Sequence, residues 1–95
     1  MADSVPEPLR QRYIGSFAEK QATLEAGLSQ LSADPLGAMS QLRAAAHKIS
    51  GSAGMYGFED LGQQARAVVH AIDDGSGSAL VVELVRVLID EMKPA

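Results

Sequence analysis

The chain has 95 residues, 46% of them apolar, 21% charged and 4% aromatic, with a formal charge of −4 and a sequence pI near 4.9. One small domain fits this length, the apolar share excludes a disordered chain, and the absence of cysteine excludes a disulfide framework, an iron–sulfur cluster and a thiol nucleophile. The acidic balance argues against nucleic-acid binding through a basic face, and no apolar run approaches the roughly 18–20 residues that a membrane span requires.

Residues 1–7 read as a flexible polar leader. They carry acids and a proline where a signal peptide would carry bases and then an apolar run, so the expected compartment is the cytoplasm. Pro8 suits the first position of a helix. From there to Leu31 the apolar positions Leu9, Tyr13, Ile14, Phe17, Leu24, Leu28 and Leu31 fall at helical intervals and predict one long helix. Residues 32–35 break it, with Asp34 placed to cap a second helix and Pro35 to open it. The second stripe runs through Leu36, Met39, Leu42, Ala46, Ile49 and Ala53. Gly54 and Gly57 close it, Gly57 as a left-handed terminator.

A third helix is predicted over Glu59–Asp73, with Leu61, Ala65, Val68 and Ile72 inward and two acids in the first turn, where the helix dipole favours them. Residues 73–78 form a turn by composition. Residues 79–92 are rich in β-branched side chains. The four-residue step of Leu80, Leu84, Leu88 and Met92, held over a length unusual for a strand, predicts a helix, and one enclosed more than the others. Four helices joined by short loops predict an all-α fold, an antiparallel up-down four-helix bundle over residues 8–93.

One helix carries more than packing requires. At about 100° per residue, His47 falls roughly 120° from the apolar stripe of the second helix. Gly51 and Gly54 follow on the side of His47, and Ser40 and Ala44 continue the small-residue row. A glycine inside a helix costs about 1 kcal/mol relative to alanine, so two of them beside a histidine call for a reason. The reason read here is clearance, a floor without Cβ atoms on which another molecule can approach the imidazole. Close helix–helix packing is the competing reading, and it requires the His47 face to be buried. Arg43 and Ser50 flank the row on one edge and Lys48 on the other. Residues 36–70 hold three bases (Arg43, Lys48, Arg66) against two acids (Glu59, Asp60), in a chain that is acidic as a whole. A reachable imidazole, which is substantially neutral at cytoplasmic pH, together with nearby cations suits a nucleophile that receives and holds a phosphoryl group.

At these residues the sequence resembles the histidine-containing phosphotransfer (HPt) domain family of two-component phosphorelays. His47, Gly51, the run Ser52-Ala53-Gly54, Gly57 and then Leu61 in the next helix match its signature of a histidine, a glycine four residues later and small residues ending in glycine. The resemblance implies that His47 accepts phosphate on Nε2 from a phospho-aspartate of a receiver domain, or returns it. The partner, a response-regulator receiver domain or a hybrid histidine kinase, would supply Mg²⁺. This chain would bind no cofactor or metal and act as a monomeric carrier without kinase activity of its own, since it lacks a nucleotide loop. Gly51, Gly54, Lys48, Ser50, Arg43 and Arg66 are expected to form the phosphate and docking surface. Many members carry Lys where this chain has Ser50, and a ring-orienting Gln where it has Val69; Gln63 and Arg66, on a similar face, are expected to take the polar role.

Two other readings follow from the same residues. In one, the bundle is a non-catalytic adaptor in which His47 is incidental. In the other, His47 and His70 hold a haem or metal between helices, although bundle sites of that kind normally include carboxylates. Tyr56 and Phe58 are expected to pack the end of the bundle.

Overall fold

A computed structural model describes residues 5–93, and every described element is helical. The order is α1 (Glu7–Gly15), α2 (Phe17–Gln30), α3 (Pro35–Ser52), one 3₁₀ turn (Gly54–Tyr56), α4 (Glu59–Asp73) and α5 (Ser78–Glu91). Helices α2, α3, α4 and α5 close a ring, each packed on the next in sequence and α5 on α2. The core they enclose is aliphatic. Leu24, Leu42, Ile49, Leu61, Val68, Val81, Val85 and Leu88 are its largest fully buried side chains.

Local chemistry sets the boundaries. Asp34 accepts a hydrogen bond from the Gly37 amide at 3.1 Å and Pro35 follows it, so α3 begins as the sequence predicts. Gly57 takes φ 87°, ψ 14°, the left-handed conformation that ends the 3₁₀ turn at little steric cost only for glycine.

The long first helix is in fact two. Gly15 gives weak helical support, and the Ser16 hydroxyl donates to the Tyr13 carbonyl at 2.6 Å, competing with the helical ladder. The helical run is interrupted at Ser16, and α1 packs against the 3₁₀ turn. This leaves Leu9 exposed. The expected leader falls partly on residues 1–4, which lie outside the described residues; α1 starts at Glu7.

Two apolar stripes are also corrected. Leu36 is 86% exposed, and Ala38 takes a core place in its stead. Each step of three residues falls about 60° short of a full turn, so the two steps from Leu36 to Leu42 carry Leu36 off the core face. Steps of four overshoot by about 40°, so three of them turn Leu80 away from Met92. The buried row on α5 is Val81, Val85, Leu88 and Ile89, continued by Met92 at the C-cap, with Leu80 and Val87 exposed. Helix α4, with six buried residues, is therefore more enclosed than α5, with four.

All four aromatic side chains meet at one end of the molecule. Tyr13 stacks on Tyr56 at 4.5 Å, and Phe17 and Phe58 pack edge-on at 5.5 Å. Arg10 lies over the Phe58 ring and Lys20 over that of Tyr13. The Ser52 hydroxyl donates to the Lys48 carbonyl, so the Tyr13 phenol donates to Ser52 Oγ at 2.7 Å. That bond ties α1 to the last turn of α3.

Candidate functional site

The face of α3 opposite its core row is open. Ala38, Leu42, Ala46 and Ile49 are buried, whereas Ser40, Ala44, His47, Lys48 and Gly51 are exposed, as is Gly54 just beyond the helix. A Cβ built at Gly51 or at Gly54 would meet nothing within 4 Å. These glycines therefore leave clear space beside His47. The close approaches are made elsewhere. A Cβ at Gly27 would lie 2.6 Å from Leu42 Cδ2, where α2 meets α3. One at Gly62 would lie 3.6 Å from the Ala53 Cβ, where α4 meets the end of α3.

The polar side chains named from the sequence fall into three positions. On the α4 side, Arg43 reaches across to Asp73, with Nε to Oδ1 at 2.6 Å and Nη2 to Oδ2 at 3.0 Å. This pairing, with both side chains nearly half exposed, holds the Asp73 carboxyl below its ordinary range; the hydrogen bond from Arg43 contributes most, with smaller contributions from the charges of His70 and His47. Arg43 is thus engaged with a carboxylate and does not stand alone at the acceptor's edge. On the other side, Lys48 and Lys20 line an open groove of about 520 Å³ between α2 and α3, together with Gln41, Ala44 and Ser52. The third position is the helix itself, where the Ser50 hydroxyl donates to the His47 carbonyl at 2.8 Å.

On α4, the neighbouring helix, Gln63, Arg66 and His70 are all exposed. Val69 is 7% exposed and belongs to the core, so the family's ring-orienting position is an inward one in this chain. Asp73 is the residue that sequence reasoning missed, because it read as the start of a turn. The available signal was electrostatic. A carboxylate in the last turn of a helix opposes the helix dipole and is better placed with a cation beside it. Arg43 provides that cation from thirty positions away.

Chemically, the arrangement offers an exposed imidazole on an uncrowded helix face, with guanidinium and ammonium groups at its margins and no acid anywhere on α3. No helix among the described residues is long and apolar enough to cross a membrane. The family model for the Hpt domain matches residues 8–93. No curated protein and no solved structure matches the chain.

Proposed function

The chain belongs to the Hpt domain family, which serves histidine phosphotransfer in two-component signalling, and from that premise we propose that it relays a phosphoryl group between receiver-domain aspartates through His47. The observation that carries this reading is the empty space over Gly51 and Gly54 beside an exposed His47. In the proposed step the Nε2 lone pair attacks the phosphorus of the acyl phosphate. A nitrogen–phosphorus bond forms, the phosphorus–oxygen bond to aspartate breaks, and the carboxylate leaves with the electron pair while the ring proton stays on Nδ1. Mg²⁺ belongs to the receiver in this reading, and the chain contributes the nucleophile and the docking face without kinase activity of its own.

That face spans α3. Leu36 lies about 20° from His47 on the wheel and about 16 Å before it along the helix axis. Met55 lies beyond the glycines, and the two are 86% and 73% exposed. They would seat the receiver on either side of the acceptor, with Lys48 and Arg66 near the phosphoryl group and Arg43 within a turn. The proposal takes residues 8–93 as the working unit, a cytoplasmic monomer with its helices alternating up and down. The cross-bonds Tyr13–Ser52, Gln41–Thr23 and Arg43–Asp73 support that alternation.

The test is transfer from a radiolabelled phospho-receiver domain. Label is expected on the wild type, stable to base and labile to acid, and absent from His47→Gln, whose helical circular dichroism and melting should match the wild type. If no receiver in a panel donates to the folded protein, the adaptor reading replaces this one.

A further inference from the structure

Resting on His47 as the acceptor, we propose that Asp73 is a positioning residue that withholds Arg43 from His47 and yields it to the phosphoryl group once that group arrives. Arg43 and His47 are four residues apart on α3, neighbours on its open face. The guanidinium is nonetheless drawn across to α4, where both carboxylate oxygens of Asp73 receive it. Arg43 stands one turn before His47 and its guanidinium ends on Asp73, so the cation beside the acceptor is already held by an anion. His70, on the same helix as Asp73, adds to Arg43 in holding that carboxyl low, and Lys48 stands on the far flank of His47.

The competition has a direction. The Arg43–Asp73 pair is exposed at both ends, where water competes for both partners and an ion pair holds weakly. A phosphoryl group brings a charge of about −1.5 to −2 and three acceptor oxygens, against one charge and two oxygens on Asp73. When it is bound to His47 it outcompetes the carboxylate for Arg43. Asp73 then stands unpaired in the last turn of α4, where the helix dipole disfavours it. The link between α3 and α4 through this pair is therefore made in the unphosphorylated protein and released in the phosphorylated one.

The experiment uses potassium phosphoramidate, which needs no receiver. A ring nitrogen–phosphorus bond forms while the phosphoramidate nitrogen–phosphorus bond breaks and ammonia leaves with the bonding pair. Loading is followed by ³¹P NMR in the wild type, Asp73→Asn, Arg43→Gln and the double variant. Asp73→Asn is expected to load faster, about fivefold for one redirected surface pair. Arg43→Gln is expected to load more slowly, and adding Asp73→Asn to it should change nothing. Acceleration by Asp73→Asn that persists without Arg43 would show a bare repelling charge and overturn the proposal. Equal rates in all four proteins, with only melting temperatures shifted, would make the pair structural and overturn it too. A protein that loads in this pattern but exchanges with no receiver would refute the relay reading alone.

Discussion

Gly51 gives up about 1 kcal/mol of helix stability relative to alanine, at a position where no neighbour forbids a side chain. Gly51→Gln is therefore expected to raise the melting temperature while lowering transfer from a phospho-receiver at least tenfold. Retained transfer in the stabilised variant would remove clearance as the purpose of the glycine. His47, Gly51 and Gly54 were legible in the sequence because they share one helix, and a wheel suffices to put them on one side. The Arg43–Asp73 pair was not, because no local pattern joins residues on separate helices. Val69 is the converse: the family pattern expects a polar side chain there, and in this chain the position serves the core.

Among the elements, the helix starts and stops were readable wherever a cap or a glycine marks them. The ends of α3 and α4 agree with the sequence to within a residue or two. What misled was the assumption that any chain of threes or any chain of fours stays on one face. Only their alternation does so, and Leu36 and Leu80 show the drift in opposite directions. The break at Ser16 was hidden for another reason, since the apolar spacing runs through it unchanged. Of the two glycines at helix crossings, Gly27 is the more tightly packed. Gly27→Ala gains helix propensity but drives its methyl into Leu42, which is fully buried and has little room to yield. We expect a net loss of about 1–3 kcal/mol by urea denaturation, the range for overpacked cores. The same change at Gly62, where the nearest atoms stand at ordinary contact distance, should cost much less.

At the scale of the molecule, charge and pH bear on opposite ends of the titration range. Asp73 titrates lower in the folded protein than in the unfolded chain. Its pairing therefore stabilises the fold above the unfolded carboxylate range, and that contribution is lost as pH falls through the depressed folded value. Burial raises the Tyr13 phenol above its ordinary value. Its contribution is complete below the unfolded value of about 10 and is lost as pH rises through the folded one. Urea midpoints should show both effects. The difference between wild type and Asp73→Asn should vanish in acid, and wild type should lose more stability in strong alkali than Tyr13→Phe does. The family's overall shape was legible because the loops are short and the stripes helical. The aromatic assembly at one end was only partly so: Tyr56 and Phe58 were placed there from the sequence, whereas Tyr13 and Phe17 read only as members of the first helix's apolar stripe.

That assembly also decides what light can report. With no tryptophan in the chain, the tyrosines dominate the near-ultraviolet spectrum, and both stack at the end where α1 meets the 3₁₀ turn. Tyrosine emission and near-ultraviolet dichroism are thus local gauges of that end. A loosening at the Arg43–Asp73 crossing would pass without colour, whereas methyl resonances from the aliphatic rows of α4 and α5 would register it.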